Sequence, residues 1–184
     1  MNLAAFLDLS GEHALIVGGG AVALRRARTL LDAKMKVQVV APEVVTDLRL
    51  LEVVVAERPY QSPDLEGVRL VVVATNRKTL NDEIAAQARA AGLLVNHAGD
   101  AGRGNFRFPA VTEQAGVQVA VSTGRELPML AQELLGRIKT LLPDAEQLAV
   151  WQQRRETALS LGAGQGAALQ TLRADIALAL GARA

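Results

Sequence analysis

Through the first hundred residues, short apolar runs alternate with stretches of helical spacing. His13 to Gly19 (HALIVGG) is an apolar run closed by glycines, the mark of a buried strand, after which Leu24, Ala27, Leu30 and Leu31 recur at helical spacing. Lys36 to Ala41 (KVQVVA) is a second strand closed by Pro42, Leu51 to Ala56 (LEVVVA) a third, Arg69 to Ala74 (RLVVVA) a fourth and Leu93 to Asn96 a short fifth. Between the last two, Thr79 to Ala91 places Leu80, Ile84, Ala88 and Ala91 on one helical face, with Asn81, Asp82 and Glu83 in its electropositive first turn. Strands alternating with helices predict an α/β fold with a doubly wound parallel sheet. Right-handed crossovers then bring the strand ends, and the turns after them, to one edge where ligands bind.

The pattern changes after Gly99. Asp100 to Asn105 reads as a glycine-rich loop, and Phe106 to Val111 and Val117 to Ser122 as two strands of an antiparallel pair. From Pro128 the chain reads as helix: Met129 to Leu142, Asp144 to about Leu161, and Ala167 to Leu180 after the Gly162 to Gly166 break. The expected division is 1–103, 104–127 and 128–184, and 184 residues suffice for one α/β domain with a smaller appendage.

Composition narrows the function classes. Half of the residues are hydrophobic but only 3% are aromatic, so the core is expected to be Ala, Val and Leu, as in helices packed on a parallel sheet. Twenty basic against nineteen acidic residues leave a net charge of +1, too little to argue for nucleic acid or a membrane surface as partner. The absence of cysteine excludes a disulfide framework, a thiolate metal site and a cysteine nucleophile, and fits a reducing compartment such as the cytoplasm. No positively charged leader precedes the apolar start, and no apolar run reaches the roughly 18 residues of a membrane span, so a soluble protein is expected.

The chemistry concentrates at the strand ends. Gly18-x-Gly20-x-x-Ala23 follows a strand and opens a helix, the context in which such glycines allow a tight turn and let backbone approach a pyrophosphate. Gly18, Gly19, Gly20, Ala21 and Val22 are therefore candidate cofactor contacts in a Rossmann-type sheet. The second strand ends Ala41-Pro42 with Glu43 just beyond, so the ribose contact falls to backbone or to Glu43. Arg25 and Arg26 suit either a phosphorylated ribose or plain solvated surface, and NAD is favoured over NADP. Thr75 and Asn76 after the fourth strand suit the nicotinamide half of the pocket, with capping of the next turn as the other role for Asn76. His97 is a candidate base or ligand, or a hydrogen-bonded structural residue, and no stable metal site is expected.

Taken together, residues 17–28 (VGGGAVALRRAR), 39–43 (VVAPE), 73–76 (VATN), 106–110 (FRFPA), 121–124 (VSTG) and 128–131 (PMLA) resemble the precorrin-2 dehydrogenase/ferrochelatase family, the N-terminal part of siroheme synthase. The resemblance implies NAD-dependent oxidation of precorrin-2 to sirohydrochlorin, with ferrous iron as a further substrate in some members. It also implies a homodimer paired through 104–127 and a helical 128–184 that covers the tetrapyrrole. Asn96, His97, Ser122, Thr123, Gly124, Arg125 and Pro128 become candidate substrate contacts, Arg125 through a tetrapyrrole carboxylate. In the family an aspartate follows the strand-end asparagine by three residues. Here that position is Gly99, and Asp100 is the candidate to replace it as base. The other readings are a non-catalytic tetrapyrrole- or NAD-binding relative and a general nucleotide-binding regulatory domain.

Overall fold

A computed structural model describes residues 3–123 and 127–181. The chain divides into two compact units, Met1–Phe108 and Pro109–Ala184. The first holds a five-stranded parallel sheet in the order β3-β2-β1-β4-β5, built from β1 His13–Val17, β2 Lys36–Val40, β3 Val54–Ala56, β4 Leu70–Val73 and β5 Leu94–His97. Helix α1 Ala21–Asp32 follows β1, the one-turn α2 Thr46–Arg49 follows β2, and α3 Lys78–Ala90 joins β4 to β5. Every strand of the expected series is present.

The sheet is sandwiched, which is why its strands read as unbroken apolar runs. Ala14, Ile16, Val37, Val39 and Val72 pack with Ala23, Ala27 and Leu30 of α1 on one face. Leu15, Val17, Val71, Val73 and Val95 pack with Ile84, Ala85 and Ala88 of α3 on the other. Strand order reverses between β1 and β4, and all five strands point the same way, so the turns after β1, β2, β4 and β5 share one edge.

The strand expected from Phe106 begins instead at Ala110. Phe106 and Phe108 pack edge to face, ring centroids 5.0 Å apart, against the α1 side of the first unit. Ahead of them Gly104 to Phe106 runs along the free edge of β5: Asn105 and Phe106 donate their amides to the Val95 carbonyl, while the Asn105 side chain accepts from Val95 N and donates to Leu93 O. An exposed strand edge is thereby closed within the unit.

In the second unit β6 Ala110–Gln114 and β7 Val117–Val121 form the expected antiparallel pair around the two-residue turn Ala115-Gly116, both at positive φ. Its half-buried face packs on α4 Pro128–Lys139, whose Ala131 and Leu135 are buried. Helices α5 Ala145–Leu159 and α6 Gln165–Ala179 pack on one another. Among the described residues no helix is long and apolar enough to cross a membrane.

Candidate functional site

The turn between β1 and α1 separates its glycines by what surrounds them. A Cβ on Gly18, which sits at φ +125°, would collide with the Ala74 carbonyl beyond β4 and lie 2.7 Å from Ala74 C. One on Gly19 would collide with the Glu43 carbonyl and lie 2.8 Å from Val44 Cα. Both glycines are required by neighbouring backbone, and Val45 N–H donates to Gly19 O at 2.8 Å to hold the β2 exit, Ala41-Pro42-Glu43, against the turn. Gly20 differs: nothing lies within 4 Å of its would-be Cβ.

Gly20 is the N-cap of α1, with no side-chain cap and no acid in the first turn. The first amides of a helix lack intrahelical partners, and among the described residues no acceptor meets those of Ala21 and Val22. Unpartnered amides at the positive helix end beside open space fit a dinucleotide pyrophosphate. Buried Ala41 and exposed Pro42 and Glu43 lie beside this turn, with Glu43 on the side where a ribose hydroxyl is held in such sheets. Arg25 is exposed, but Arg26 is half-buried with its guanidinium 4.2 Å over the Phe108 ring. Burial, and then Arg25, lower its pKa from the usual arginine value. That packing, not a ribose phosphate, occupies Arg26.

At the β4 exit, Asn81 is the residue sequence reading missed. It is buried on the inner face of α3, accepts from Thr75 N (3.1 Å) and Thr75 Oγ1 (2.6 Å), and donates to Thr75 O (2.9 Å). Three bonds pin Thr75 at the edge. Asn76, exposed beside it, does not cap α3; the N-cap is Arg77, whose amide donates to Thr75 Oγ1.

At the β5 exit, Asn96 and His97 are both buried. Asn96 Nδ2 donates to Phe106 O at 3.2 Å, which leaves Oδ1 buried without a hydrogen-bond partner among the described residues. His97, a candidate substrate contact, is turned inward. Its Nδ1 accepts from Gly99 N (3.2 Å) and Asp100 N (2.9 Å), so the ring proton sits on Nε2, 3.2 Å from Asp82 Oδ1. Both ring nitrogens are engaged within the unit and the side chain is 1% exposed.

Asp100 follows on the same edge. Its Oδ1 accepts from Gly102 N at 2.9 Å, Oδ2 lies 3.5 Å from Arg103 Nε, and the side chain is 43% exposed. Asp82 binds Lys78 Nζ (2.9 Å) and Arg103 Nε (3.1 Å), and these cations, with the Lys78 hydrogen bond foremost, hold its carboxyl below the usual range. Gly99 is exposed; a Cβ there would meet only the His97 ring, at 3.7 Å, an ordinary contact.

Ser122, Thr123 and Pro128 belong to the second unit, where Leu127 N donates to Thr123 Oγ1 at 3.2 Å; Gly124 and Arg125 lie outside the described residues. Among the described residues no three His, Asp or Glu side chains converge to hold a metal ion.

A family described as "Putative NAD(P)-binding" matches residues 5–110, which include the glycine turn and all three strand exits described above. The siroheme synthase of Ectopseudomonas mendocina (strain ymp) is 41% identical over 140 residues, 75% of this chain and 30% of that protein. That of Pseudomonas entomophila (strain L48) is 42% identical over 146 residues, 76% of this chain and 31% of that protein. That of Chromobacterium violaceum is 40% identical over 146 residues, 75% and 30% respectively. The chain spans just under a third of the length of these curated relatives. Among solved structures, "SirC, precorrin-2 dehydrogenase" has the same fold, with a TM-score of 0.68 at 24% identity over 93% of this chain and 87% of that one. With more than half of its length inside the matched span, this chain belongs to that NAD(P)-binding family.

Proposed function

We propose that the protein is a cytoplasmic NAD-dependent precorrin-2 dehydrogenase of siroheme synthesis, with Asp100 as its base. The observation that carries the reading is the half-exposed Asp100 carboxylate on the same sheet edge as the open glycine turn, in a chain similar to siroheme synthases over three quarters of its length. Precorrin-2 loses two hydrogens to become sirohydrochlorin, one as hydride and one as a proton. NAD, when bound, supplies the hydride acceptor. The amides of Ala21 and Val22 hold its pyrophosphate, Gly20 leaves the space for it, Glu43 or the Ala41-Pro42 backbone meets the ribose, and Thr75 and Asn76 border the nicotinamide half. Asp100 Oδ2 takes the proton, since Oδ1 is committed to Gly102 N. Asn96 Oδ1, buried and unpartnered, offers an acceptor for an N–H of a bound ligand.

Ser122, Thr123, Gly124, Arg125 and Pro128 enter this reading as tetrapyrrole contacts, and ferrous iron as a substrate. A homodimer paired through 104–127 belongs to it too, supported by the exposed apolar side chain of Val111.

Replacing the base tests the assignment. Asp100→Ala is expected to lower NADH formation from NAD and precorrin-2 by about a hundredfold or more while NAD binding stays unchanged. Gly99→Asp placed in that variant is expected to recover part of the rate, because position 99 accepts a side chain without collision. Parental turnover in Asp100→Ala removes Asp100 from the role. NAD binding without turnover in every form, the parent included, leaves a non-catalytic binding relative.

A further inference from the structure

Four residues around the β5 exit close a circuit. Asp100 N–H donates to His97 Nδ1, His97 Nε2–H points to Asp82 Oδ1, Asp82 Oδ1 faces Arg103 Nε, and Arg103 Nε faces Asp100 Oδ2. The members come from β5, α3 and the short 3-10 turn Ala101–Arg103, so the circuit ties the Asp100 loop to two elements of the sheet sandwich. Loop glycines add to its definition. A Cβ on Gly104 would lie 2.5 Å from Val95 O, and one on Gly102 would lie 3.2 Å from Asp100 Oδ1. The loop therefore has little freedom to carry Asp100 elsewhere.

We propose that His97, Asp82 and Arg103 are positioning residues: His97 fixes the backbone of Asp100 through its unprotonated Nδ1, Asp82 fixes the His97 ring, and Arg103 directs the outer carboxylate oxygen. This rests on the reading of Asp100 as base, and it explains how an acid one residue beyond Gly99 is held in a definite place. A buried histidine with both nitrogens engaged defines a unique loop geometry, and displacement of a reacting group by about 1 Å is enough to cost much of a rate.

The two amide analogues of histidine separate the links. Asparagine places its carbonyl oxygen near the Nδ1 position and can still accept from the Gly99 and Asp100 amides. Glutamine reaches the Nε2 position and keeps a donor for Asp82 but leaves those amides without an acceptor. The experiment compares the parent with His97→Asn, His97→Gln, Arg103→Gln and Asp100→Ala, measuring kcat for NADH formation with precorrin-2, KM for NAD and the melting temperature. The expected result is a fall in kcat of about tenfold or more in His97→Gln with KM for NAD within about twofold of the parent, and recovery of about fivefold or more in His97→Asn. Arg103→Gln, on the surface of the circuit, is expected to lower kcat by about threefold or more without lowering the melting temperature.

Parental kcat in both His97→Gln and Arg103→Gln overturns the proposal, as does a loss shared equally by kcat, NAD affinity and melting temperature, which is the mark of a merely structural role. Parental kcat in Asp100→Ala overturns it as well, since there is then no base to position. If the parent itself makes no NADH, the dehydrogenase reading fails and this proposal with it; if the parent turns over and only the position 97 and 103 variants behave as the parent does, the positioning claim alone fails.

Discussion

Gly19 and Gly20 are neighbours in one turn and answer to different constraints. In the sequence they belong to a single glycine run, and the motif assigns all of it to the ligand. The structure divides the run: Gly18 and Gly19 are needed because carbonyl groups from the β4 and β2 exits press on them, while Gly20 faces open space. Gly19→Ala is therefore expected to destabilise the first unit by about 1–3 kcal/mol, since a methyl group there must displace backbone. Gly20→Ser is expected to leave stability within about 0.5 kcal/mol, because Gly20 has φ −90° and ψ −168° and serine is a good N-cap. The same serine fills the open space and takes a first-turn amide, so NAD binding is expected to weaken by about tenfold or more. Denaturant unfolding and NAD titration of the two variants check the pair; equal loss of affinity with no loss of stability in Gly19→Ala contradicts the division. Arg26 shows the limit of reading residues singly, because its partner Phe108 is 82 positions away and no local pattern announces the contact.

At the scale of elements, the sheet was legible because burial on both faces writes each strand as an unbroken apolar run. The β5 exit was less so. Asn81, Asp82, Arg103 and Asn105 act through partners 3 to 21 residues away, and the contacts of Asp82 with His97 and Arg103 form only when α3 packs beside β5. Asn81 and Asp82 read from sequence as acidic or polar first-turn residues, yet α3 begins at Lys78, which turns Asn81 inward. The start of the first strand of the hairpin was misplaced for a related reason: Phe106 and Phe108 alternate as strand residues do, but their rings serve the core of the first unit, and pairing begins only after Pro109. The hairpin itself carries a removable strain. Ala115 sits at φ 52° in its two-residue turn, a conformation that costs an ordinary side chain about 1–2 kcal/mol and that asparagine tolerates. Ala115→Asn is expected to stabilise the second unit by about 0.5–1 kcal/mol, read as a raised unfolding midpoint. A lowered midpoint contradicts the turn assignment.

On the scale of the whole molecule, the first unit coincides closely with the matched NAD(P)-binding span, 1–108 against 5–110, and it alone contains the glycine turn, Thr75, Asn96 and Asp100. The proposed cofactor cradle and the proposed base thus sit on one sheet edge, and the account predicts that both are in place before any substrate arrives. Under the proposed function the tetrapyrrole contacts expected at Ser122, Thr123 and Pro128 fall in the second unit. The most direct measurement is an anaerobic single-turnover experiment in which the parent protein, in excess over precorrin-2 and saturated with NAD, is followed for NADH and for sirohydrochlorin. The account predicts that both products appear together, one NADH for each precorrin-2 consumed. Bound NAD with precorrin-2 left unchanged contradicts it.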